Sequence, residues 1–172
     1  MTAPLLKQLI QIPICRGLEE REAGEIFEIA EETSAKKGEV LFREGDTGNA
    51  LFVVLEGSLD ITKKDRAGKP QHLAKISDGS VLGEMSLVHG SSIRSATAQA
   101  ASDVRLLRIP AERFSKLLED ERVSALKMVY NLAQVMSRRL LLMDEKLIEL
   151  MERNKKKEEL AEFHKLLADW SF

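Results

Sequence analysis

Within the stretch Gly83 to Ala100, "GEMSLVHGSSIRSATAQA", a glycine and a glutamate open a segment of helix-like spacing, and a polar turn, "HGSS", leads on to Arg94 and Ser95. Gly83 allows the backbone to approach a ligand closely, and a short helix beginning near Glu84 leaves first-turn amides pointing outward. Amides of that kind bind phosphate. Arg94 returns to the same place after the turn, bringing a permanent charge and forked donors matched to phosphate oxygens, and Ser95 adds a hydroxyl. A carboxylate beside a phosphate site makes sense when the ligand carries a sugar, because Glu84 can accept hydrogen bonds from ribose hydroxyls. The same two residues could also form a plain ion pair on a turn, which contributes little when exposed.

The flanking sequence says what holds this segment. Apolar positions at helical spacing run from Leu5 to Glu32, broken at Pro13 and near Gly17, and predict two or three short helices over 5–32. Paired acids such as Glu31 and Glu32 read as a solvated face of the last of them. From Ala35 to Pro110 the period falls to two and glycines recur, at Gly38, Gly45, Gly48, Gly57, Gly68, Gly79, Gly83 and Gly90. Strands are expected at Val40–Phe42, Ala50–Leu55, Ser58–Lys63 and His72–Ile76, with "DRAGKP" as a hairpin tip and "VRLLRIP" as the last strand. Gly38, Gly45 and Gly57, with Asp46 and Asn49, read as turn formers without a ligand role. Pro110 suits the first turn of a helix, and the chain beyond it reads as helical. The expected fold is α+β: an antiparallel, jelly-roll-like β-roll over 35–110, flanked by N-terminal helices and a long C-terminal helix. The segment carrying Glu84 and Arg94 is an insertion between its strands, where function often resides.

Composition limits the functions available. A chain of 172 residues, 44% of them hydrophobic, supports one main core with an appendage. The formal net charge of −2 removes the broad basic field of a nucleic-acid binder, so anion recognition has to be local. Cys15, the single cysteine, excludes an internal disulfide framework, and its setting in "IPIC" reads as a small buried side chain. His72, His89 and His164 have no partner at metal-ligand spacing, so no metal site is expected. No nucleophile with a base is visible, which disfavours an enzyme. No apolar run reaches the roughly 18 residues of a spanning helix, and the start lacks a signal-peptide pattern, so the chain reads as cytoplasmic, with no membrane partner.

Three blocks agree in order and spacing: "KGEVLFREGDTGNALFVVLEGSLDI", "DGSVLGEMSLVHGSSIRSATAQA" and "DVRLLRI". Together they resemble the cyclic nucleotide-binding domain shared by bacterial catabolite activators, protein kinase A regulatory subunits and cyclic-nucleotide-gated channels. The resemblance covers roughly Leu9 to Leu147. It implies that Gly83 opens a phosphate-binding cassette, that Glu84 binds the ribose 2′-hydroxyl, and that Arg94 pairs with the cyclic phosphate. Ser95 resembles a further phosphate ligand, the amides of Glu84 and Met85 stand where the family uses backbone donors, and Ser86 and Ala96 complete the candidate set. Leu82 departs mildly, standing where many members have an aromatic residue. By the same resemblance, Met143 and Asp144 would face the base from a lid in "SRRLLLMDEKL". Asp144 could accept hydrogen bonds from adenine or from guanine. The reading favours cAMP over cGMP as ligand, with no cofactor.

The tail is distinctive. Ala133, Met136, Leu140, Met143, Leu147, Leu150 and Asn154 follow a/d coiled-coil spacing, which predicts a parallel homodimer through 133–154. The stripe could instead pack on its own roll. Past the charged "ERNKKKEE", Leu160, Phe163, Leu167 and Trp170 restart a stripe in a shifted register. The expected organisation is a binding domain over 1–145, whose helix 110–145 serves as lid and dimerisation element, and a C-terminal helical extension over 146–172. Residues 155–172 would reach an effector protein. Nucleic acid is not an expected partner, because neither a helix-turn-helix nor a basic face is visible. A dimeric scaffold that keeps the roll but has lost ligand control is the competing reading.

Overall fold

The computed structural model describes residues 9–89 and 92–154, with the backbone alone for 88, 89 and 151–154. The expected effector segment 155–172 and the first turns at Leu5 and Leu6 lie outside the described residues. The chain divides into two compact units, residues 1–132 and 133–172.

In the first unit a 3₁₀ turn, Pro13–Cys15, leads to helix α1, Glu20–Ile29. Glu22, three residues past the N-cap, accepts a hydrogen bond from the Glu19 amide at 2.8 Å, which uses one of the donors a helix start leaves open. Ala23 and Ile26, three apart on one face, are buried. Ten strands follow: β1 Glu31–Ala35, β2 Val40–Phe42, β3 Thr47–Gly48, β4 Ala50–Glu56, β5 Ser58–Lys64, β6 Pro70–Ser77, β7 Val81–Leu82, β8 Ser92–Ile93, β9 Thr97–Ala100 and β10 Val104–Pro110. They form antiparallel sheets in the orders β1-β10-β4-β7 and β2-β9-β5-β6, with β3 paired to β8. This is the expected α+β roll.

Strand β4 is buried from Ala50 to Leu55, so both of its faces are covered. Ala50, Phe52 and Val54 point into a cluster with Leu59, Leu82, Ala98, Ala100, Val104 and Leu106, drawn from both four-stranded sheets. Leu51, Val53 and Leu55 alternate onto the opposite face. Helices α1 and α3, Ala111–Glu119, pack against each other and against β10. The hairpin tip forms as the turn residues require: the Asp65 carboxylate accepts from the amides of Ala67 and Lys69, each at 2.9 Å. Gly57 turns between β4 and β5 at φ +94°, and a Cβ there would lie 2.2 Å from the Asp103 carbonyl, so the turn closes only on glycine.

One reading of the sequence is corrected. Glu31 and Glu32, expected on a helix face, open strand β1, and Glu31 pairs in register with Arg108 of β10. Their acidity is used across strands. Glu31 lies 2.7 Å from Arg108 Nη1 and 3.1 Å from Arg113 Nη1, and Glu32 lies 3.3 Å from Arg105 Nη2. Helical spacing in a short window cannot foresee such partners, which are more than 70 residues away. The helical region after Pro110 is also interrupted. Helix α3 stops at Glu119, Glu121 takes a left-handed φ of 54°, and helix α4, Val123–Asn154, begins anew.

The first turns of α4 are fastened to the N-terminal segment by polar side chains on one face. Buried Ser124 donates to Glu25 at 2.7 Å, Lys127 reaches both Glu22 carboxylate oxygens and the Gly17 carbonyl, and Asn131 Nδ2 donates to the carbonyls of Ile14 and Arg16. Cys15 is fully buried, and desolvation pushes its thiol up to about 12, so it stays protonated at neutral pH.

In the second unit, α4 carries Leu140, Leu141, Leu142, Met143, Leu147, Ile148 and Leu150 with exposed side chains. Among the described residues, no helix is long and apolar enough to cross a membrane.

Candidate functional site

Strand β7 ends at Leu82, the next residue, Gly83, turns the chain at φ +75° into α2, Met85–His89, and β8 then leads to Arg94. The Arg94 backbone is pinned to the loop before β3: its amide donates to the Asp46 carbonyl at 2.8 Å, and its carbonyl accepts from the Gly45 amide at 2.9 Å. Asp46 makes the turn expected of it, accepting from the Arg43 amide at 2.8 Å. From this fixed main chain the side chain runs inward. It is 7% exposed.

What surrounds the guanidinium explains how a charge can be buried there. Nη2 donates to the Ala50 carbonyl at 2.9 Å, and Nη1 donates to Ser86 Oγ at 3.3 Å. Ser86 is fully buried and shares a hydrogen bond with Ser92 Oγ at 3.2 Å. A Cβ on Gly48 would lie 2.3 Å from Arg94 Cζ and Nε, and one on Gly83 would lie 2.1 Å from Nη1. Both positions must be glycine for the side chain to lie where it does. The Phe42 ring centroid is 4.4 Å from Cζ, and that of Phe52 is 5.6 Å away. Arg94 Nε is buried without a hydrogen-bond partner, the only such side-chain nitrogen or oxygen among the described residues.

Desolvation acts first on Arg94, lowering its pKa; the field of Glu84 raises it, Arg108 lowers it again, and Asp46 raises it. An arginine stays charged throughout the accessible pH range. The hydrogen bonds to Ala50 and Ser86 go to neutral oxygens, so they fix the direction of the group without cancelling its charge. A buried cation with spare N–H donors is suited to an anion.

The structure therefore brings together Gly83, Ser86 and Arg94, with Glu84 half-buried close enough for its charge to be felt at Arg94. The amides of Ser86 and Leu87 close the first turn of α2 onto the Gly83 and Glu84 carbonyls. Met85 and Ser95 are exposed, and Ala96 is half-buried. Met143 and Asp144 belong to the second unit, where both are exposed. Sequence reading missed Phe42, Phe52, Gly48 and the Ala50 carbonyl. Gly48 had a signal in its short spacing from Asp46, whereas two phenylalanines in apolar strands read as core.

A family model described as "Cyclic nucleotide-binding domain" matches residues 32–121, just over half of the chain. The chain belongs to this family. Similar members of known name include a cAMP-dependent protein kinase regulatory subunit of Dictyostelium discoideum, 31% identical over 64% of this chain and 34% of that protein. The cyclic AMP receptor protein of Thermus thermophilus is 30% identical over 74% of this chain and 57% of its own length. The chain thus spans between a third and three fifths of these relatives. A cyclic nucleotide-binding domain from Methylobacillus flagellatus superposes with a TM-score of 0.77 over 85% of this chain and 84% of that one, at 21% identity, and so shares the fold. The β-roll is thus a fold shared with solved cyclic nucleotide-binding domains, and the two relatives named above are a kinase regulatory subunit and a receptor protein.

Proposed function

We propose that this protein is a regulatory sensor that binds a cyclic nucleotide, cAMP in preference to cGMP, and is not an enzyme. The observation that carries the reading is Arg94, buried yet hydrogen-bonded to the neutral oxygens of Ala50 and Ser86. The cyclic phosphate would take the remaining Nη N–H donors of Arg94, with Ser95, Ser86, Ala96 and the amides of Glu84 and Met85 around the anion and Gly83 permitting close approach. Glu84 would accept from the ribose 2′-hydroxyl. Met143 and Asp144 would cover the base, with 1–145 as the binding domain and 146–172 as an extension toward an effector. The cAMP preference rests on the relatives named for that nucleotide. Ligand binding shifts the roll and its C-terminal helices between two states only by as much as the nucleotide prefers one of them. A homodimer through 133–154 in the cytoplasm completes the proposal.

Isothermal titration of nucleotide-stripped protein with cAMP and cGMP tests it. Micromolar or tighter binding to cAMP, lost in Arg94→Ala, is expected. Wild-type affinity in that variant would remove Arg94 from the site. The exposed apolar residues of α4 favour one second reading, a dimeric scaffold indifferent to ligand; it expects no heat with either nucleotide and an unchanged oligomer.

A further inference from the structure

The phosphate reading leaves one property of Arg94 unexplained: its Nε is buried and has no hydrogen-bond partner. Such a donor on a charged group is costly in an apolar place unless something electron-rich lies beside it. The neighbour that fits is an aromatic face. Arg94 Cζ lies over the Phe42 ring at 4.4 Å, and Phe42 meets Phe52 with centroids 6.0 Å apart and planes tilted by 33°, so the two rings form one wall of the pocket. Gly48, lacking a side chain, forms another, with room for Cζ and Nε and nothing larger.

We infer that Phe42 is a positioning residue for Arg94: its ring face holds the guanidinium at the anion pocket by its quadrupole while leaving the positive charge uncancelled. A carboxylate in that place would hold the group as firmly but would compete with a phosphate for it. An aromatic face attracts a cation without supplying a formal negative charge. Strand β2 supplies the geometry, because Phe42 is its last residue and pairs in register with Ala98 of β9, four residues beyond Arg94. The ring thus sits on a strand, and Arg94, in the link between β8 and β9, is held by its backbone hydrogen bonds to Gly45 and Asp46. A leucine at 42 would fill similar space with no such face.

The inference rests on the proposed anion site, and its test separates the two. Arg94 Nε–H is assigned by ¹⁵N NMR through its loss in Arg94→Lys, and its shift and exchange rate are followed without any ligand. Wild type is expected to show a slowly exchanging signal displaced by ring current. Phe42→Leu should move it to the position of exposed arginines with the fold intact by thermal melting, and Phe42→Tyr should restore it. In titrations with cAMP, Phe42→Leu should bind about tenfold more weakly and Phe42→Tyr close to wild type. An unmoved Nε signal in Phe42→Leu, or equal loss of affinity in the Leu and Tyr variants, would overturn the role of the ring. If wild type bound neither nucleotide, the sensor reading would fall, while the NMR comparison would still decide whether Phe42 holds Arg94.

Discussion

A methyl group on Gly83 would lie 2.1 Å from Arg94 Nη1 and 2.9 Å from the Ala50 carbonyl, on a backbone at φ +75°. Strain and collision act together there, and neither contact is with a freely moving chain end, because Arg94 is itself buried. Gly83→Ala is expected to destabilise the fold by about 1–3 kcal/mol and to expel the guanidinium from its place. Calorimetric melting should show the lower midpoint, and titration with cAMP should show a larger loss than the melting shift explains. At this scale much of the site could be read from the sequence. Gly83, Glu84 and Arg94 stood out as candidates, because residue type and spacing are enough to specify a glycine turn and a cationic fork. The aromatic wall could not be read. Phe42 and Phe52 lie in apolar strands where phenylalanine is ordinary, and Arg94 comes to them only once the strands have paired.

The clasp between α1 and α4 belongs to the scale of elements. Lys127 donates to both Glu22 oxygens, at 2.8 and 2.7 Å, and the Glu19 amide donates to the same carboxylate. The hydrogen bond from Lys127 first, and that from the Glu19 amide second, hold the Glu22 carboxyl below the usual range. The folded-state pKa is therefore lower than the unfolded one. Such a group stabilises the fold above the unfolded value, about 4.3, and loses that contribution as pH falls through the folded value. Urea midpoints measured from pH 7 downward should hold level and then fall below about pH 4.5. Glu22→Gln should lower the neutral plateau and flatten the acid limb. A residual slope should remain, because Asp65, held down first by Gln71, and Asp103, held down first by Lys36, have lowered values too. An identical limb in Glu22→Gln would show that the clasp does not couple to folding. Sequence periodicity found both helices but not the clasp, since its partners are about a hundred residues apart.

At the scale of the whole molecule the proposal concerns association. In the second unit Leu140, Met143, Leu147 and Leu150 are 44%, 67%, 37% and 47% exposed, which suits a seam awaiting another helix. Sedimentation velocity at micromolar concentration should show a dimer, and Leu140→Asp combined with Leu147→Asp should shift it to monomer while leaving the β-roll folded by circular dichroism. Wild-type protein that sediments as a monomer across that range would end the dimer reading. The heptad spacing is legible in sequence because it repeats along one helix. The partner is not, because an a/d stripe is satisfied equally by its own roll and by a second copy.

The sequence by itself determined strands β2, β4, β5, β6 and β10, glycine turns between them, the glycine-to-arginine spacing from Gly83 to Arg94 and the family to which the chain belongs. These features are written in local spacing, and local spacing follows from backbone geometry. Only the tertiary structure decided that Glu31 and Glu32 begin a strand, that α3 and α4 are separate helices, and that Arg94 is seated between two glycines and two phenylalanine rings. Each of these depends on residues far apart in the chain, whose meeting is fixed by strand register and burial rather than by anything a window of neighbouring residues contains.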